Sequence, residues 1–221
     1  MGTTPSSALR RAALTAALAS VLSACGNADD DTPAPATSAV PSVAEGALQA
    51  SVEGDSASVG TALFNADGRG YVILSSDGDS GATVVHVADQ HRSWARRVPA
   101  TSSFVTLRFA RSEPLSLTPL TGAALAGSYQ LMLDGKPAAL AITTDGGISA
   151  AAGSSCKLTG QVDLASNYGG ARGLTLKLEA CGQLAAGTYQ GVLYASGATA
   201  PAAWQAVLEN GSSVLDLLAY R

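Results

Sequence analysis

Five Asp-Gly or Asn-Gly pairs cut the chain into short pieces: Asp67-Gly68, Asp77-Gly78, Asp134-Gly135, Asp145-Gly146 and Asn210-Gly211. Such pairs reach the positive-φ conformations that a tight reversal needs at little cost, so each predicts a turn between two strands. The segments between them are apolar runs of a few to about ten residues, and none past the N-terminal region sustains a helical period. A chain punctuated in this way, with no long helical period, predicts an all-β fold.

The N-terminus is different in kind. Arg10 and Arg11 precede an uncharged apolar stretch from Ala12 to Ser23. The stretch is too short to span a bilayer, which takes roughly 20 residues, and the order of charge then apolar segment is that of an export signal. It ends Leu22-Ser23-Ala24-Cys25, an aliphatic residue and two small ones before a cysteine. This resembles the bacterial lipobox. The resemblance implies removal of residues 1–24, lipid on the Cys25 thiol and usually on the new N-terminus. Two acyl chains anchor stably where one does not. Gly26 follows the cysteine, and by the same resemblance the absence of aspartate there implies an outer-membrane destination, on either the periplasmic face or the cell surface.

Removing residues 1–24 from 221 leaves 197, and takes two of the 13 basic residues and none of the 17 acidic ones, so the mature chain carries −6. An acidic chain without a basic run is a poor nucleic-acid binder. Only 14% of residues are charged and 5% aromatic, and small residues abound, which suits thin strands better than a large enzyme core. Gly26 to about Gly46 has three consecutive aspartates, Asp29 to Asp31, then Pro33, Pro35 and Pro41 among small residues. It lacks apolar periodicity and reads as a disordered tether, so residues 25–46 are taken as lipidated cysteine and linker. With Cys25 assigned to lipid, Cys156 and Cys181 remain as an even pair in an oxidising compartment, which predicts one disulfide.

The clearest strands are Lys157 to Leu164 and Gly173 to Ala180, each alternating apolar with polar residues. The polar segment Ser166 to Gly170 joins them into a hairpin. Matching their apolar faces places Leu158 opposite Ala180 and Leu164 opposite Leu174. Cys156 then falls opposite Gly182, so either a bulge lies near Cys181 or that cysteine has left the strand.

The C-terminal half also repeats itself. Leu125-Ala126-Gly127-Ser128-Tyr129-Gln130 matches Leu184-Ala185-Ala186-Gly187-Thr188-Tyr189-Gln190, and each copy continues into an apolar strand, an Asx-Gly turn and another strand. Two copies of about four strands make about eight, the number that closes a small barrel filled by side chains. The expectation is a small antiparallel barrel over residues 121–221, with a β-sandwich as the alternative. Residues 47–120 form an additional strand-rich part, with strands at Val59 to Asn65, Tyr71 to Ser75, Ala82 to Val87 and Phe104 to Phe109. Whether it makes a separate sheet or extends the barrel stays open.

Gly187, Tyr189 and Gly191, the pair Cys156 and Cys181, and Gly160 resemble a broad group of uncharacterised Gram-negative (proteobacterial) outer-membrane lipoproteins, which carry a repeated β-barrel-like domain behind a lipobox. The resemblance covers roughly residues 120–221. The architecture is also similar to that of transferrin-binding and factor H-binding surface lipoproteins, a likeness of fold that transfers no function.

Three patterns suggest chemistry and fail on inspection. Gly78-Asp79-Ser80-Gly81 looks like the trypsin-family nucleophile motif, but His86 and His91 both follow Ser80, and too little chain precedes it for that fold. Ser154 and Lys157 have a Ser-x-x-Lys spacing that works on a helix, whereas here it leads into a strand, where positions three apart face opposite sides. His86, Asp89 and His91 are a thin set for zinc, with no further ligand pair at suitable spacing. No catalytic residue, metal or cofactor is therefore expected.

The stretch from His86 to Arg111 is the most unusual remainder. It holds both histidines, Trp94, and five arginines: Arg92, Arg96, Arg97, Arg108 and Arg111. Arginine and tryptophan are enriched at binding hot spots, and a local basic patch on an acidic protein can recruit an acidic protein or glycan. The expectation is a non-enzymatic, lipid-anchored envelope lipoprotein binding a macromolecule through Arg92, Trp94, Arg96 and Arg97. The alternative is an inhibitor or immunity lipoprotein acting against a cell-wall hydrolase.

Overall fold

The structure, a computed structural model, describes residues 45–54, 58–76, 81–88 and 94–221. The segments expected to be leader and lipobox with Cys25, and nearly all of the expected tether, lie outside these residues, as do Gly78 to Ser80, Asp89, His91 and Arg92.

Among the described residues, fifteen strands form two antiparallel sheets. The first sheet contains β1 (Gly46–Val52), β2 (Val59–Phe64), β3 (Gly70–Ser75), β4 (Val84–Ala88), β5 (Trp94–Val98), β6 (Phe104–Val105) and β7 (Phe109–Pro114), in the order β6-β5-β4-β3-β2-β1-β7. The second contains β8 (Gly127–Leu133), β9 (Lys136–Ile142), β10 (Gly147–Ala150), β11 (Lys157–Tyr168), β12 (Ala171–Glu179), β13 (Gly187–Tyr194), β14 (Trp204–Glu209) and β15 (Val214–Ala219), each beside its neighbour in sequence. The fold is therefore all-β with an eight-stranded, nearly closed barrel in the C-terminal half. The strand-rich N-terminal part forms its own seven-stranded sheet.

The barrel closes where Gln130 and Tyr220 exchange backbone hydrogen bonds of 2.7 and 2.9 Å, joining β8 to the segment after β15. Inward-facing side chains fill its interior. Leu131, Leu140, Leu158, Leu176, Leu193, Trp204, Leu208 and Leu217 belong to one continuous buried cluster. The short helix α1 (Gly122–Leu125), capped by the Thr121 hydroxyl accepting from the Ala124 N–H, inserts Leu125 into it. Gly191 shares the face of Tyr189 and Leu193, and a Cβ there would stand 2.0 Å from the Val207 carbonyl oxygen. Only glycine allows β13 and β14 to approach so closely.

The repeat seen in the sequence is a repeat of geometry. Tyr129 and Tyr189, 1% and 0% exposed, begin corresponding strands. Each hydroxyl donates to the carbonyl four residues upstream, Leu125 at 2.8 Å and Ala185 at 3.0 Å. Gly127 and Gly187, two residues before each tyrosine, have φ of 144° and 149°. Each copy thus folds its entry loop back onto a buried ring, a device known from other antiparallel folds.

Two details of the sequence reading are corrected. The β11–β12 register differs by two residues, with Leu158 opposite Leu178 and Val162 opposite Leu174. Faces are preserved because the shift is even. The cause is an irregularity in β11 between Asp163 and Tyr168. Asp163 Oδ1 accepts from the N–H groups of Ala165 and Ser166, and the Ser166 hydroxyl accepts from the Gly173 N–H, which absorbs residues that a plain hairpin would have paired. At the other end β12 stops at Glu179, and Ala180 takes a positive φ of 53°. Cys181 has left the strand, and its disulfide to Cys156 spans Cα atoms 4.4 Å apart. The second correction concerns Phe104 to Phe109, which is not one strand. It divides into β6 and β7 on opposite edges of the first sheet, and Leu107 between them is buried in that sheet's own core.

The first sheet has two dry faces. One packs on itself through Leu48, Phe64, Val72, Leu74, Trp94 and Phe109. The other presents Ala47, Leu63, Ile73 and Val85 to the outer wall of the barrel, where Tyr168, Val192, Tyr194 and Val207 meet them. The connecting segment is drawn into the same layer: Leu115 N–H bonds to Ala47 and Thr118 N–H to Ala195, each at 2.9 Å.

Removing either tyrosine hydroxyl orphans a backbone carbonyl at a barrel entry. Tyr129→Phe and Tyr189→Phe should each lower unfolding free energy by about 1–2 kcal/mol in urea titration, with little change in slope. Equal stability of both variants and the parent would remove the hydroxyl bonds from the account.

Candidate functional site

The expected Arg/Trp surface is divided by the strand that carries it. In β5, Trp94 is 3% exposed and meets Phe64 edge-on, with ring centroids 6.1 Å apart. It is a core residue of the first sheet. Arg96 lies opposite His86, and His86 lies opposite Val72, so all three share the sheet's inner side, where His86 is also buried. Ala95 and Arg97 face the other way, toward the barrel. Between Val85 and His86 the register slips by one, and Arg97 is the extra residue on β5. Bulges commonly re-aim a side chain in this way. Trp94, Arg96 and Arg97 therefore do not form one surface, and Arg92 lies outside the described residues.

Arg97 instead lines an open cleft of about 440 Å³ between the two sheets. Arg69, Tyr71 and Phe104 join it from the first sheet and its turns, and Tyr168, Gln190 and Glu209 from the barrel. Local sequence positions each of them. Arg69 follows the Asp67-Gly68 turn, which is held by the Asn65 side chain accepting from the Arg69 N–H at 2.8 Å. Glu209 ends β14 just before the Asn210-Gly211 turn. Tyr71 and Tyr168 meet edge-on at 5.4 Å and form the floor where the sheets touch.

An ion pair crosses the cleft. Arg97 Nε donates to Glu209 Oε1 at 3.0 Å, and the Gly211 N–H donates to Oε2 at 2.6 Å. Glu209 is only 6% exposed, while the Arg97 side chain is 50% exposed. A carboxylate on a dry face must be paired to remain there, and this one has both oxygens engaged. Arg97 keeps its two terminal nitrogens uncommitted among the described residues, and the Arg69 guanidinium is likewise uncommitted. At the rim, Phe104 is 72% exposed, an unusual position for a large aromatic ring.

Burial raises the Tyr71 hydroxyl well above the ordinary tyrosine pKa, with Tyr168 and Glu209 adding to the shift and Arg69 and Arg97 opposing it. Burial likewise raises Tyr194, with Asp216 adding. A second cavity, of about 270 Å³, lies between the sheets beside Thr61, Tyr194, Gln205 and Asp216. Its carboxylate is spent: Asp216 accepts from Gln205 Nε2 at 2.7 Å and from the Ala82 N–H at 2.9 Å, the latter joining the two sheets. The cleft at Arg97 differs in bringing guanidinium donors into its lining.

The remaining sequence candidates have local roles or lie elsewhere. The Ser154 hydroxyl donates to the Cys156 carbonyl at 2.8 Å within its own turn. Among the described residues no group of three His, Cys, Asp or Glu side chains is placed to hold a metal. Glu209 went unnoticed in the sequence although it carried a signal, because it shares a strand face with Val207 in an otherwise apolar run. Arg69, Tyr71, Tyr168 and Gln190 lie far apart along the chain, and only the packing of the two sheets unites them.

Two outcomes follow. Arg97→Met should destabilise by about 1–3 kcal/mol, because it strands the Glu209 carboxylate, and the added Glu209→Gln change should recover part of that loss in denaturant titration. The raised tyrosines favour the neutral ring in the fold, so their stabilisation is complete below pH about 10 and is lost as the unfolded chain ionises above it. Tyr71→Phe and Tyr194→Phe should each flatten the alkaline fall in melting temperature, and an unchanged fall would remove that ring from the account.

No protein-family model matches this chain, and no curated protein or solved structure matches it either.

Proposed function

We propose that this protein is a lipid-anchored envelope lipoprotein that binds a macromolecule without catalysis, and that the cleft at Arg97 is where it does so. The observation that carries the reading is the pairing of two guanidiniums having uncommitted donors with an exposed aromatic ring on a cleft walled by both sheets. Arginines and aromatics dominate binding hot spots because they combine directional donors with large contact area. The described residues lining the cleft include no serine, cysteine or histidine, and the single carboxylate among them is occupied. That lining lacks the partnered nucleophile and general base that covalent hydrolysis requires. The lipobox ending at Cys25 supports the anchor, and an outer-membrane location is part of the same proposal.

Anchor and binding are tested separately. In an exporting bacterial host, the wild-type chain should incorporate labelled palmitate and sediment with membranes, and Cys25→Ser should do neither. Labelling that survives the substitution would overturn the anchor. For binding, a photoreactive phenylalanine analogue replaces Phe104, with the same analogue at exposed Met132 on the barrel as control. Irradiated cells should give a high-mass adduct from position 104 alone. Equal adducts from both positions, or none, would overturn the cleft as the binding site.

A further inference from the structure

We infer that the cleft takes a carboxylate-bearing saccharide, its acid group held by Arg69 and Arg97 and one ring face laid against Phe104. This rests on the reading of the cleft as a binding site and names its ligand class.

Charge comes first. The cleft is lined by two guanidiniums against one carboxylate, on a chain whose formal net charge is −4. Both oxygens of that carboxylate are already bonded, so it adds no free acceptor for an incoming cation. Glu209 also holds Arg97 by its Nε, which leaves the guanidinium end bearing the two terminal nitrogens for a ligand. That end offers parallel donors to a planar acid group, the geometry in which arginine excels. Arg69 brings a second guanidinium to the same lining, and both are near enough to act on the Tyr71 hydroxyl.

The remaining lining separates a sugar from an acidic peptide. Gln190 and the Tyr71 hydroxyl add neutral polar groups suited to ring hydroxyls. Phe104 stands exposed at the rim, and the electron-rich face of an aromatic ring attracts the slightly positive C–H groups on one side of a sugar. A peptide held by strand addition needs a run of free backbone groups along an edge. The edge strand at this cleft, β6, is two residues long. The apolar part of the described lining is Val87, Ala88, Ala95 and Phe104 beside the tyrosine pair.

The test uses the whole chain in detergent and three immobilised probes: acidic oligosaccharides (trigalacturonate and sialyllactose), their neutral counterparts (maltotriose and lactose), and an Asp/Glu-rich heptapeptide. At least one acidic saccharide should bind in preference to its neutral counterpart and to the peptide, more weakly as salt rises. Arg69→Ala and Phe104→Ala change exposed side chains and should leave folding intact, and each should weaken binding on the order of tenfold. Saccharide binding unchanged by either variant would overturn the site. Preference for the peptide, or no preference for acidic over neutral sugars, would overturn the ligand class. The macromolecular adduct at position 104 would survive that second result, so failure here is distinguishable from failure of the binding reading itself.

Discussion

The outer wall of a small barrel is usually its wet side, and here part of it is dry. Val192, Tyr194 and Val207 point away from the barrel interior and are nevertheless buried, because a second sheet lies over them. The rest of the architecture depends on this contact. It supplies the first sheet with a second apolar face to bury, which a seven-stranded sheet with short, unequal edges could not bury alone. It also creates the grooves at the margins of the contact, one of which holds Arg97 and Glu209. Non-directional apolar burial brings the sheets together, while the Arg97–Glu209 pair and the bond from the Ala82 N–H to Asp216 help set how they meet.

Within the barrel, duplication solved the problem of starting a strand twice in the same way. A glycine with a conformation closed to other residues turns the chain, and a tyrosine two positions later plugs the barrel and ties its hydroxyl to the loop. The two copies differ where they meet other parts. Tyr129 also accepts a hydrogen bond from Arg221 at 3.1 Å and lies beneath that guanidinium, whereas Tyr189 does not.

Strand identity in the barrel was legible because turn pairs and alternation are local signals. Register was less so, since it depended on how Asp163 and Ser166 spend their side-chain bonds, and a bulge of that kind has no periodic signature. The candidate site was largely illegible. Trp94 and Arg97, three residues apart, read as neighbours on a surface, but strand alternation and a core on the inner side of the first sheet placed them on opposite faces. The runs Tyr71-Val72-Ile73-Leu74 and Val192-Leu193-Tyr194 did carry a usable hint. Each is apolar without alternation, the mark of a strand covered on both sides, and together they pointed to a contact between sheets.

Barrel closure rests on a single rung between Gln130 and Tyr220, whereas the other neighbouring barrel strands share ladders of three or more paired residues. Arg221 reinforces that rung by donating to the Ala124 carbonyl as well as to Tyr129. The molecule thus has a zip-like seam, and the least costly excursion from the native state is to part β15 from β8 while every other ladder holds. A parted seam would bare two strand edges belonging to apolar strands, each a template for another chain. By holding that seam shut, the Arg221 clamp guards against self-association as well as adding to stability.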